Sequence, residues 1–312
     1  MQNRVIAAIF LAVFAGGAMA QLPDEPPHRP RITGISHIAL YAADPAATEK
    51  FYTEMVGAVK EADPENPAGV RYMISGGQWV EVLPLPADAG INRVDHTAWT
   101  TTDAEALRKY LAYRTWKVPP EVQKGEDGSQ WFMVKDSEGN RVEFVQLPDP
   151  VKPVHAPLLV GRQIIHVGFL VHDRVVEDAF YRDVLGFKPY WYGGRDDTEV
   201  DWVSQQAPSG HNWLEYMLVH DQPGAAPAGS TRRSLGGMDH FSIGVPSVKD
   251  AWQMLKDDNR LAGNEKAEPK MGRDGKNQLN LFDPDGTRLE MMDFHATEKP
   301  CCSPFTAPDP DE

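Results

Sequence analysis

Four times along this chain a short apolar segment carries a histidine, and 44 to 50 residues later another apolar segment carries a glutamate. The histidines are His37 (in Ile35 to Leu40), His96 (Val94 to Trp99), His166 (Ile164 to Phe169) and His240 (Met238 to Ile243). The matching glutamates sit between large apolar residues: Glu81, Glu143, Glu215 and Glu290. Seven residues after each histidine stands Asp44, Asp103, Asp173 or Ser247, residue types whose side-chain oxygens cap the free N–H groups at a helix start. Apolar residues then recur every three or four positions, as in Phe51, Met55 and Val59, in Phe180, Val184 and Phe187, and in Ala251, Trp252 and Leu255, which predicts helices with one core-facing stripe. After each helix the period shortens to two, and the turns Asp136-Ser137-Glu138-Gly139 and Asp283-Pro284-Asp285-Gly286 have hairpin chemistry. A repeated unit of this size cannot bury its apolar face alone, so its copies must pack on one another. The chain is therefore expected to be an α+β protein of four βαβββ modules.

Segmentation follows from what interrupts the repeats. Arg4, an apolar run to Phe14 and the small-residue site Ala18-Met19-Ala20 read as a secretory signal over residues 1–20, because the run is about ten residues where a bilayer needs about twenty. Export to the periplasm or medium is the expectation. Proline-rich residues 147–159 read as a linker between a first double-module domain, 31–150, and a second, 160–296. Residues 297–312 have the composition of a disordered tail. Cys301 and Cys302 are adjacent within it, so no disulfide can bridge the core. With 45 acidic against 31 basic residues and a net charge of −14, the chain lacks the clustered Lys and Arg that a phosphate backbone needs, which argues against nucleic acid. No later segment is apolar enough for a membrane span, and four modules can pair internally, so monomer and homodimer are both open.

These features together resemble the vicinal-oxygen-chelate superfamily, the glyoxalase, bleomycin-resistance and extradiol-dioxygenase type. The resemblance rests on the fourfold repeat, the Phe51-Tyr52 and Phe180-Tyr181 pairs, the Asp-Pro-Asp-Gly hairpin and the terminal glutamates, and it covers Arg31 to Phe294. It implies that modules pair into two cupped mixed sheets, each able to hold one metal between its first and last strands. Carried across residue by residue, the implied ligands are His37, Glu81, His96 and Glu143 in the first half, and His166, Glu215, His240 and Glu290 in the second. One histidine or one glutamate in a strand is ordinarily a hydrogen-bonded or solvent-facing residue. Four copies of the same pair on faces that should be buried argue for ligation, since a buried carboxylate needs a compensating cation or proton.

Two imidazoles and two carboxylates suit a divalent first-row metal ion (Ni, Zn, Co, Mn or Fe) and leave two of six positions for a small molecule bearing vicinal oxygens. The resemblance then implies one of three activities. In a glyoxalase-like lyase or isomerase, Glu215 or Glu290 would serve as the base beside a Lewis-acidic metal. In an Fe(II) extradiol dioxygenase, His166, His240 and Glu290 would be the triad; such members carry a Tyr where Asn280 stands and a His upstream, whereas this chain offers Lys276 and Gln278 there. As a non-catalytic resistance protein it would use aromatic pockets, for which Trp131, Tyr190, Trp191, Tyr192, Trp202 and Trp213 are candidates. His28 and His155 fall in linkers, and His172, His211, His220 and His295, lacking the repeated position, are expected at the surface or rim.

Overall fold

The computed structural model describes residues 26–219 and 227–312; the expected export signal and His220 lie outside them. The chain forms two eight-stranded mixed sheets. The first contains β1 (Ile32–Ala42), β2 (Val59–Ala62), β3 (Val70–Ser75), β4 (Gln78–Pro84), β5 (Val94–Thr101), β6 (Gln123–Lys124), β7 (Gln130–Lys135) and β8 (Arg141–Gln146). Its spatial order is β2-β3-β4-β1-β5-β8-β7-β6. The second repeats this with β9 (Gln163–Val171), β10 (Lys188–Gly193), β11 (Trp202–Gln206), β12 (Trp213–Leu218), β13 (His240–Val245), β14 (Lys270–Met271), β15 (Asn277–Phe282) and β16 (Arg288–Asp293), in the order β10-β11-β12-β9-β13-β16-β15-β14. Thus the repeat folds as four βαβββ modules paired into two curled sheets. No described helix is long and apolar enough to cross a membrane.

In each module the last strand lies parallel beside the first, a pairing that requires the helical crossover between them. The register is the same four times: Glu81 pairs with Ala39, Glu143 with Ala98, Glu215 with Gly168 and Glu290 with Ser242. Each glutamate therefore faces the residue two beyond its module's histidine, and because side chains alternate along a strand, histidine and glutamate share a face. The first strands of paired modules run antiparallel at the sheet centre, β1 on β5 and β9 on β13, which brings two such pairs together.

The capping residues act as expected. Asp44 accepts from the backbone N–H of Ala46 and Ala47 at α1 (Pro45–Lys50), Asp103 from Ala106 at α2 (Ala104–Tyr113), Asp173 from Val175 and Val176 at α3 (Arg174–Asp178), and Ser247 from Asp250 at α5 (Val248–Asp257). Each such cap is worth about 1 kcal/mol. A further short helix, α4 (Arg232–Gly236), precedes β13 and has no counterpart in the repeat. The α-helical stripes expected through Phe51, Met55 and Val59 and through Phe180, Val184 and Phe187 do not form; the second passes into a π-helical segment, Ala179–Val184, that ends before Phe187. Helix α1 continues into a π-helical segment, Phe51–Val56, whose wider turn buries Phe51, Tyr52, Met55 and Val56 together, and Val59 belongs to β2.

The Phe-Tyr pairs and the acidic hairpins meet across the two halves. Tyr52 Oη donates to Asp283 Oδ2 at 3.4 Å, and Tyr181 Oη to Asp136 Oδ2 at 3.3 Å. Asp285 accepts from Ala43 N at 2.8 Å and Arg93 Nε at 3.0 Å, while Glu138 accepts from His172 N at 2.9 Å and Asp173 N at 2.5 Å. The hairpin of the fourth module thus seats the helix start of the first, and that of the second seats the third. One hydrophobic cluster runs through both halves, from Ile32 to Met291. His172, expected at the rim, has a side chain only 5% exposed, and its Nδ1 lies 3.0 Å from Glu138 Oε2.

Residues 297–312, expected to be disordered, are docked on the second half. Thr306 N donates to Tyr190 O at 2.9 Å, and Ser303 Oγ bridges Tyr192 N and O, so the tail runs along edge strand β10. Asp309 pairs at 2.7 Å with the ammonium of fully buried Lys276. Cys301 and Cys302 are joined by a disulfide. Backbone bonds to an edge strand and a few polar anchors need no apolar periodicity, which is why the composition resembled disorder.

Candidate metal centres

Each pair of modules directs two imidazole Nε2 atoms at one point on its concave face. His37 and His96 approach to 3.0 Å in the first cup, and His166 and His240 to 3.0 Å in the second. A tryptophan two residues before the odd-module glutamate packs on the neighbouring ring: Trp79 stacks on His37 at 4.6 Å, and Trp213 lies tilted against His166 at 4.8 Å between centroids. His240 crosses β9 where Gly168 leaves room; a Cβ there would lie 2.3 Å from His240 Cε1. Nδ1 of His240 lies 2.7 Å from the carbonyl of Met238, and Nδ1 of His96 lies 2.7 Å from Asp95 Oδ2. Both partners are acceptors, so Nδ1 donates to them and Nε2 is the nitrogen that faces the cup.

Carboxylates complete both groups. In the first cup Glu81 Oε2 lies 3.6 Å from His37 Nε2 and 3.5 Å from His96 Nε2, and Glu143 Oε2 lies 3.0 Å from His96 Nε2. In the second, Glu290 Oε2 is 3.3 Å from His166 Nε2 and Glu215 Oε2 is 3.4 Å from His240 Nε2. All eight sequence candidates therefore gather, four to a cup. Donor atoms of His37, Glu81 and His96, and of His166, His240 and Glu290, lie within 4.8 Å of one another. Buried Glu81 Oε2, Glu143 Oε1 and His166 Nδ1 have no hydrogen-bond partner. Buried carboxylate oxygens and imidazole lone pairs facing one another at these distances fit a divalent cation, since leaving them uncompensated is costly.

The electrostatics of the two cups differ. Burial alone would raise Glu290, but Arg288 and His166 hold its carboxyl down at about 2, and the adjacent imidazoles of His240 and His166 likewise outweigh burial to keep Glu215 low. Burial, followed by Arg288, lowers His240. In the first cup burial and then the neighbouring Asp63 push Glu81 up to about 9. Burial and then Glu143 push Glu65 up to about 10, while Asp95 and Glu143 overcome burial and raise His96 to about 10. The first cup is crowded with acids; the second is balanced by Arg288.

Each cup opens to a cavity. That of the second, about 220 Å³, is walled by Tyr190, Trp191, Trp202, Trp213 and the tail's Phe305, with Glu215 and Glu290 at its base and Arg273, Gln278 and Arg288 alongside. The first is a basin of about 380 Å³ over Glu65, Glu81, His96 and Glu143, with Trp131 and Met133 at its side. Tyr192 is 43% exposed. Lys276 turns from the second cavity to Asp309, Tyr190 Oη and Phe294 O, and Asn280 Oδ1 accepts from Arg288 Nη1 at 3.3 Å. The sequence reading missed Asp63, Glu65, Arg71, Asp95, Arg288 and Phe305. Only Asp95 carried a visible signal, an Asp preceding His in two modules, and even there Asp239 serves differently, accepting from Leu170 N at 2.9 Å.

Cupped paired sheets, each with a His-Glu cluster at its centre, are an architecture of known type. The model of the Glyoxalase/Bleomycin resistance protein/Dioxygenase superfamily matches residues 34–144 and 163–291, and the chain belongs to that superfamily. Among solved structures it is similar to a catechol 2,3-dioxygenase (15% identity, TM-score 0.61, 90% of this chain and 96% of that one). Homoprotocatechuate 2,3-dioxygenase from Arthrobacter globiformis (17%, 0.61, 91% and 87%) and the 2,3-dioxygenase LapB from Pseudomonas sp. KL28 (13%, 0.60, 88% and 97%) are similar too. At these identities the likeness is one of fold. No curated protein matches by sequence.

Proposed function

We propose that the chain is an exported metal-dependent enzyme whose second cup takes a small molecule with vicinal oxygens and acts as a lyase or isomerase, with Glu215 as base. The observation that carries this reading is the position of Glu215. It stands 3.4 Å from His240 at the base of the cavity, with a side chain 15% exposed, and is held ionised beside the more tightly enclosed Glu290. A bound divalent cation would supply Lewis acidity toward the two substrate oxygens. His166, His240 and Glu290 would hold it. Glu215, a carboxylate at neutral pH, would take the proton from the carbon beside a carbonyl and return it to the neighbouring atom, while the aromatic walls exclude water. Exchange of the carbon-bound protons of hydroxyacetone for deuterium in D₂O, followed by NMR, tests this. Glu215→Gln should keep the metal and lose about 10²–10⁴-fold in exchange rate. Undiminished exchange in that variant would refute the role.

A second reading, an Fe(II) extradiol dioxygenase, is favoured by one observation: His166, His240 and Glu290 form a mutually close two-histidine, one-carboxylate group to which Glu215 does not belong. Against it, no histidine is among the described residues lining the second cavity. Formation of a yellow ring-opened product from catechol, Fe(II) and oxygen would establish this reading over the first.

A further inference from the structure

We propose that the first cup is a cation site in which Glu65 supplies a fifth donor, so that it holds a metal yet cannot chelate two vicinal oxygens, leaving that task to the second cup. The inference rests on the metal-site reading above. It comes from the places where two halves of identical register differ. Opposite Glu81, strand β3 carries Arg71; opposite Glu215, strand β11 carries Ser204. The Arg71 guanidinium lies 3.9 Å over the Trp79 ring, donates from Nε to Asp63 at 3.0 Å and from Nη2 to Glu65 at 2.5 Å. These three side chains are at most 7% exposed. Arg71 thereby clamps the loop between β2 and β3 into the cup and delivers Glu65 to the ligands.

One donor atom each of His37, Glu65 and Glu143 lie within 4.8 Å of one another, overlapping the group of His37, Glu81 and His96. A separate observation points to a cation: Glu81 Oε2 and Glu143 Oε1 are buried without a hydrogen-bond partner, and Glu81 Oε2 faces both Nε2 atoms. The corresponding loop of the second half sends its acids elsewhere. Asp201 accepts from Arg195 N at 2.7 Å, and Asp197, 79% exposed, pairs with Arg273. Trp191 and Trp202 occupy the cavity wall there. Two imidazoles and three carboxylates fill five of six octahedral positions, and a vicinal-oxygen ligand needs two adjacent ones. The oxygen-rich set also favours the harder first-row divalent ions.

Cobalt(II) and acetohydroxamate, a two-oxygen chelator, serve as probes on the full chain. In a His166→Ala/His240→Ala background the protein should retain about one cobalt per chain and bind no acetohydroxamate, read by calorimetry and by the visible spectrum. Adding Glu65→Ala should preserve the fold, since Arg71 keeps Asp63, open the second position and allow one hydroxamate to bind. Cobalt should then be extracted by EDTA about 10–100-fold faster, the scale typical of losing one supporting group at a metal site. Glu65→Asp, one methylene shorter, should behave like the alanine variant. The proposal is overturned if the background protein holds no cobalt, if it binds acetohydroxamate with Glu65 in place, or if neither Glu65 variant gains that binding. Failure of the second-cup reading looks different: the unmutated chain would carry cobalt but bind no hydroxamate, with the first-cup results unchanged.

Discussion

The C-terminal tail offers a sharp energetic test, because its docking depends on a buried charge. Lys276 is fully buried, and its ammonium is held by Asp309 Oδ1 at 2.7 Å, Phe294 O at 2.7 Å and Tyr190 Oη at 3.1 Å. Breaking a buried ion pair costs about 3–5 kcal/mol because an uncompensated charge is left behind. Asp309 is 21% exposed and two neutral acceptors remain, so Asp309→Ala is expected to cost less, about 2–3 kcal/mol. At roughly 2 °C per kcal/mol for a chain of this size, the melting temperature should fall by about 4–6 °C. Lys276→Met removes the charge and retains an apolar stem beside Trp213 and Phe305, so the double variant should be little worse than Lys276→Met alone. Urea unfolding followed by tryptophan fluorescence measures all three. An Asp309→Ala cost below about 0.5 kcal/mol, or additive costs in the double variant, would refute the view that the tail neutralises Lys276.

Two other outcomes follow from buried acids. Glu177 is fully buried and its carboxyl is pushed up to about 9, first by burial and then by Asp136. A group that binds its proton more tightly folded than unfolded lends stability that is complete below the ordinary carboxylate range and is lost as pH climbs toward about 9. The metal-free protein should therefore lose several degrees of melting temperature between pH 5 and pH 9, and Glu177→Gln should flatten that slope; an unchanged slope would count against the assignment. Asp95→Asn removes the carboxylate behind His96 Nδ1 and should weaken first-cup metal binding about 10–100-fold while leaving the second cup unaffected, as competition with a chromophoric chelator would reveal.

What the sequence made legible was whatever the four modules share. His37, His96, His166 and His240 recur with their glutamates because one register, glutamate opposite the residue two beyond the histidine, is enforced four times by the same parallel crossover. Asp44 and its counterparts were readable because a cap depends only on its own turn. What distinguishes the halves was hidden for the converse reason. Arg71 and Ser204 occupy one place in the repeat, and nothing local says that Arg71 will draw Glu65 into the first cup. Phe305 reaches the second cup and Asp309 anchors the tail beside it from a segment with no periodicity, through contacts more than a hundred residues apart in the chain. The π-helical turn at Phe51 answers to Tyr52 meeting Asp283 in the other half, a tertiary demand that a helical stripe does not encode.

The most direct test of the central claim is the metal content of the purified protein, prepared without chelator or affinity metal and compared with His166→Ala and His240→Ala. If the second cup is a metal centre, each substitution removes one equivalent of a divalent first-row metal per chain and leaves the first-cup equivalent in place. Metal content unchanged by both substitutions, or no metal retained even after reconstitution, would contradict it.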